Sequence, residues 1–254
     1  MIKCLILIGL IAALLASNGA RADGTADLKN ALLRLRSGTP LKASMEVKTW
    51  HRVGEGKDAL ETSGQANVTL DDGAQGVQVT YSREFIARLE GEDEAVARDP
   101  NARTPATSAA RELGAAELRP MLSAAAGLMQ LLEKALPAGE RIDSYKGKPA
   151  RLLSYTLPIS TLRERDRKYV KHFEATLNIW IDQDGTPLAS RLREAISGRA
   201  FVVVGFEANN EEQRVYEVRG ERLLAVRSDS VSTSAGAGER DERRVSRTMQ
   251  AYTR

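Results

Sequence analysis

The chain has 254 residues, a formal net charge of +3, 42% hydrophobic and 5% aromatic residues, and one cysteine. That length and apolar content suffice for one substantial domain with its own core, and a single cysteine excludes a framework of internal disulfides. Basic and acidic residues interleave, as in Arg163 to Arg167 and Glu239 to Arg244, so no dense cationic stripe with aromatics offers itself to a nucleic acid.

Residues 1–22 read as a secretory signal peptide. Lys3 supplies the positive start, Cys4 to Ala16 the apolar stretch, and Ala20-Arg21-Ala22 the small-x-small ending, with cleavage expected before Asp23. The stretch is too short to span a bilayer, and Cys4 stands at its beginning, where a lipoprotein would carry its cysteine at the end. Cleavage removes Lys3, Arg21 and Cys4, which lowers the charge to about +1 and leaves a cysteine-free domain of residues 23–254. The expected location is the bacterial periplasm.

Residues 23–37 predict a short helix built on Leu28, Leu32, Leu33 and Leu35. In PLKASMEVKTW the pattern turns to a strand, with Leu41, Ala43, Met45, Val47 and Thr49 on one face. Further strands follow at about 63–70 and in GVQVTYS, making a meander with one covered face.

From about 82 to 137 the spacing becomes helical, as an insertion. Ser82 is placed to cap a helix over 82–90, and 92–107 reads as exposed loop. In ELRPMLSAAAGLMQLLEKAL, Leu118, Met121, Leu122, Ala125, Leu128, Met129, Leu132 and Leu136 recur at intervals of three and four. That predicts one helix over 117–136, with Pro120 in its first turn and the N-cap at Glu117 or Leu118.

After Pro137 the period returns to two. Strands are expected at 149–157, 169–181, 187–193, 201–208, 214–219, 223–231 and 243–252, with turns at Asp184-Gly185, Asn209-Asn210 and Gly220. Connections this short leave no room for crossover helices, so the sheet is expected to be antiparallel. The predicted fold is mainly β with helices: roughly ten strands in one strongly curved sheet, an incomplete barrel, covered by the central helical insertion.

No catalytic constellation emerges. His51 and His172 lack metal-ligand spacing with carboxylates or a cysteine, and no nucleophile elbow, phosphate loop or calcium loop occurs. His172 and Glu174 share a strand face next to Lys171, as a solvated pair would. The glycines of AGAGE suit a turn between antiparallel strands. The chain is therefore expected to be no enzyme and to use no cofactor and no metal.

The order of these elements resembles the periplasmic lipoprotein carrier superfamily of LolA, with the LppX-like and RseB N-terminal domains. DLKNALLRLRSGTPLKASMEV corresponds to the opening helix and first strand, and TSAARELGAAELRPMLSAAAGLMQLLEKAL to the lid. The resemblance implies an unclosed barrel around an apolar cavity, and a role in binding or carrying a lipid, an acyl chain or a lipidated partner. The residues expected to line an apolar site are Leu122, Leu128, Met129 and Leu132 from the helix, with Phe173, Leu177, Ile179 and Phe206 from the sheet. The expected partners are an apolar small molecule or a lipidated protein and no nucleic acid, for a soluble monomer with at most peripheral contact with the cell envelope. The alternative is a non-catalytic envelope interaction module with a dry core.

Overall fold

The computed structural model describes residues 23–200 and 204–252. The expected signal peptide lies outside the described residues, and so does the start of the strand expected from Phe201.

Helix α1 (Gly24–Arg34) opens the described chain. The Asp23 carboxylate accepts the Thr25 backbone N–H at 3.0 Å, and Leu28, Ala31 and Leu32 face inward, fully buried. Strands β1 (Leu41–Val53), β2 (Leu60–Gly73) and β3 (Gly76–Tyr81) form the first meander. Alternation works as read: Leu41, Ala43, Met45, Val47 and Thr49 are all buried.

The insertion holds four helices: α2 (Arg83–Arg98), α3 (Pro105–Arg111), α4 (Ala115–Leu122) and α5 (Ala124–Leu132). Ser82 caps α2 by accepting the Phe85 N–H at 3.2 Å. The loop expected over 92–107 is largely helical, because α2 runs on to Arg98 and α3 starts at Pro105. Glu92 fixes that start by accepting the Ala106 and Thr107 N–H groups at 2.6 and 2.8 Å.

The single helix expected over 117–136 is two helices. It begins earlier, with Gly114 as N-cap and Pro120 well inside α4, and it breaks at Ser123. At the break the buried Arg222 guanidinium donates to the Leu122 carbonyl at 2.8 Å, tying the last residue of α4 to the sheet. The chain then enters an unexpected strand, β4 (Leu136–Tyr145).

The second meander comprises β5 (Lys148–Thr156), a short helix α6 (Glu164–Arg167), β6 (Val170–Ile181), β7 (Pro187–Ala200), β8 (Val204–Arg219), β9 (Arg222–Gly236) and β10 (Glu239–Ala251). Asn209-Asn210, expected as a turn, lies inside β8, paired with Thr233 and Ser232 of β9. A local turn preference loses there to ladder bonds on both sides. All ten strands form one antiparallel sheet in the order β3-β2-β1-β10-β9-β8-β7-β6-β5-β4, not closed into a barrel.

The helices lie on one face. Helix α3 packs on β1 and β2, α4 and α5 on β9, and α1 on α5 and β5. Gly64 permits the α3 contact, since a Cβ there would stand 2.1 Å from the Pro105 carbonyl oxygen. One continuous core joins Met45, Leu70, Phe85, Met121, Leu153 and Leu224 across these layers.

Candidate functional site

Beside α5 the packing of helix on sheet is incomplete and leaves a groove of about 400 Å³. Helix α5 supplies Leu128 and Leu131, and the loop after β5 supplies Leu157 and Leu162. The sheet supplies Leu177 of β6 and Leu192 of β7, which are cross-strand partners and so lie side by side on one face.

The floor turns polar one strand further on. Leu192 stands opposite Glu212, and Ser190 opposite Arg214. The Arg214 guanidinium contacts the Glu212 carboxylate at 2.7 Å, and the Ser228 hydroxyl donates to that carboxylate at 3.0 Å. Tyr216 and Ser190 share a hydroxyl hydrogen bond of 2.7 Å between two buried side chains. Burial pushes the Tyr216 phenol up in pKa, against the opposing pull of Arg214, so it stays neutral. For Arg214, burial acts downward, and the charge of the Glu212 carboxylate beside it outweighs this, leaving the guanidinium raised. Lys134 stands exposed on the rim. The groove thus offers hydrocarbon walls and a paired polar floor, which suits an amphiphile and supplies no activated nucleophile.

The polar floor continues under the helices. On the same face Arg214 neighbours Ser228, and Ser228 neighbours Arg247 of β10. Arg247, buried, donates to the Glu112 carboxylate, to the Glu112 carbonyl at 3.3 Å and to Glu117 at 3.0 Å, while Arg243 reaches Glu112 from the side. Burial pulls both arginines down in pKa; Glu117 and Glu212 oppose this at Arg247, and the neighbouring arginine charge adds to it at Arg243.

The sequence-predicted site residues divide into three groups. Leu128 and Leu177 line the groove. Leu122, Leu132 and Ile179 are enclosed in the core at 1%, 5% and 0% exposure, and Met129 packs against that core from its edge. Phe173 and Phe206 stand apart, half-buried beyond the helices: Phe173 faces Ile196 across β7, and Phe206 lies against Gly198. Strand periodicity continues past the end of the covering helices, so it marks a face without marking what covers it.

Sequence reasoning missed Leu131, Leu157, Leu162, Leu192, Arg214 and Tyr216. Leu192 carried a usable signal, flanked by Arg191 and Arg193 in LASRLRE, and Leu157 closed the expected strand 149–157. The loop residue Leu162 carried none.

A second hollow, of about 690 Å³, lies on the outward side of β6–β9 among Thr176, Arg193, Glu211, Gln213, Asp229 and Val231. Its charges pair locally, with Arg193 donating to Glu211 at 2.8 Å. Burial raises the Glu211 carboxyl, and the bonds from Arg193 and Gln213 bring it below its ordinary value. His172 and Glu174 meet at 3.1 Å on the surface. Trp50 stacks under the Arg244 guanidinium, and Trp180 donates to Asp143 at 3.1 Å. Among the described residues no cluster of His, Cys, Asp and Glu is arranged to hold a metal, and no helix is long and apolar enough to cross a membrane.

Comparison of the chain with protein-family models, with curated proteins and with solved structures gave no match in any of the three.

Proposed function

We propose that this protein binds and carries an amphiphile, a lipid or the acyl chain of a lipidated partner, in the periplasm. The observation that carries the reading is the groove beside α5, whose leucine walls run onto the paired polar floor of Glu212, Arg214 and Tyr216. A hydrocarbon chain gains from leaving water along Leu128, Leu131, Leu177 and Leu192, at about 25 cal/mol per Å² of apolar surface removed. Its polar end then meets hydroxyls and charges rather than more hydrocarbon. The open sheet under helices also agrees with the architecture that the sequence resembles. In this reading the ligand lies along the margin of α5, against Leu128 and Leu177 of the expected residues, with Leu122, Leu132 and Ile179 in the core behind it.

The test is mass spectrometry of an organic extract from protein purified without detergent, paired with uptake of an apolar fluorescent probe. The expected result is a stoichiometric acyl species, and probe uptake that a fatty acid displaces and Leu131→Glu abolishes. An empty extract from folded protein, with no probe uptake, sinks the carrier reading. It favours instead the second one, an interaction module with a dry core, which the near-complete burial of five of the eight expected residues supports.

A further inference from the structure

The two edges of the sheet differ. β3 has six residues, whereas β4 has ten, and its regular part, Glu140 to Tyr145, follows a bulge between Pro137 and Gly139. On the side away from β5, that stretch has no strand neighbour among the described residues. Such an edge exposes backbone donors and acceptors to any strand that can add to it.

The side chains along this edge say which strand fits. Ile142 is 88% exposed, the highest exposure of any large hydrophobic residue described. It sits between Arg141 and Asp143. When two such strands meet antiparallel about Ile142, that isoleucine lies opposite itself. Arg141 of each copy then lies opposite Asp143 of the other, and Glu140 lies opposite Ser144. Opposite charges directly across an antiparallel pair attract, and the two isoleucines cover each other. Within one chain the same charges are only loosely joined, at 3.5 Å. In the single chain the Asp143 carboxylate accepts the Ser144 N–H at 2.8 Å and the Trp180 indole at 3.1 Å, so pairing has to exchange the Ser144 bond for one across the two strands.

We propose that β4 is a homodimer interface, in which two copies of this chain join their sheets edge to edge, antiparallel, with Ile142 on the two-fold axis. The contact is isologous and closes after two copies, so it gives a dimer and no fibre. Pro137 and the bulge beside it stop the pairing from extending further along the strand. The proposal departs from the monomer expected from sequence and stands independently of the ligand groove.

Light scattering across a dilution series is the experiment, with circular dichroism confirming that each variant is folded. The wild type is expected to be a dimer that dissociates on dilution. Ile142→Lys is expected to weaken it by about tenfold or more, by placing two ammonium groups on the axis. Arg141→Asp is expected to do the same, and Arg141→Asp with Asp143→Arg to restore the dimer, because the swapped charges again face their opposites. In the cysteine-free domain of residues 23–254, Ile142→Cys is expected to yield a covalent dimer on mild oxidation. A wild type that is monomeric at every concentration overturns the proposal, as does a dimer indifferent to Ile142→Lys. A double charge variant no better than Arg141→Asp overturns it too.

Discussion

The helical insertion is attached to the sheet in two physically different ways. At the α3–α4 end, the buried pair of Arg247 of β10 and Glu112 is joined by the half-exposed Arg243 and Glu117, and Arg222 of β9 binds the Leu122 carbonyl, the Thr39 carbonyl and Asp72. At the α5 end the attachment is leucine on leucine, and the groove opens beside it. Charges need fixed partners at fixed distances, while methyl groups tolerate displacement. The first contact fixes the register of the insertion on the sheet, and the second leaves a gap in the packing beside α5.

Breaking the ionic end is expected to have the largest effect. Arg247→Ala leaves Glu112 buried and short of its main partner, and is expected to cost about 3–5 kcal/mol in urea-induced unfolding. Replacing Arg247 by Met and Glu112 by Leu together is expected to recover most of that loss, since no buried charge is left unpaired and the half-exposed Arg243 and Glu117 can turn to water. A double variant as unstable as the single one would show that the cluster does more than neutralise itself.

At the other end, Leu128→Ala removes a 3% exposed side chain and is expected to cost about 2–3 kcal/mol. The cost falls at the low end of the range for buried leucines because the neighbouring groove already lacks packing atoms. Probe binding is expected to survive, since the change widens the groove. Leu131→Glu separates binding from folding: it lies half-buried on the groove wall, and is expected to shift stability by about 1 kcal/mol or less while abolishing probe uptake.

The smallest effect belongs to a third attachment, where the β6–β7 turn meets α1. Gly185, at φ +86°, lets the turn approach the Asp27 carbonyl, and Arg34 faces Asp184 at 3.6 Å in water. Burial and the adjacent Asp184 raise the Asp182 carboxyl to about 6, while hydrogen bonds from Asp182 and Thr186 lower Asp184 to about 2. The signs oppose. Asp182 contributes stability below its unfolded pKa and loses it as pH rises through about 6; Asp184 contributes above its unfolded pKa and loses it as pH falls through about 2. Asp182→Asn is therefore expected to remove the decline between pH 4 and 6 and to raise stability at pH 7.5, by about 1 kcal/mol or less after solvent screening. Melting temperatures across that pH range test it, and an unchanged decline would refute the assignment.

Legibility followed the kind of interaction involved. The faces of β1 and β6 were readable because alternation is a local consequence of the pleat, α1 because its leucines recur at helical spacing, and the start of α2 because Ser82 caps its own neighbours. The break at Ser123 was not readable, because the Arg222 guanidinium that holds the Leu122 carbonyl there lies 100 residues away in the chain. Asn209-Asn210 misled for the converse reason: two good turn residues are held extended by β7 and β9. Of the site, Leu128 and Leu177 were legible as apolar faces, and Leu162 was not, because a loop has no period.

The sequence by itself determined an antiparallel, mainly β chain with a helical insertion, and which residue of each regular strand faces inward. Those features rest on periodicity, on caps and on short connections, all of which act within a few residues. Only the tertiary structure decided that the sheet stays open at β3 and β4, that the lid divides at Ser123, and which apolar residues are enclosed and which border the groove. Periodicity says which way a side chain points; what it meets there depends on elements distant in the chain, brought together by packing and buried charge.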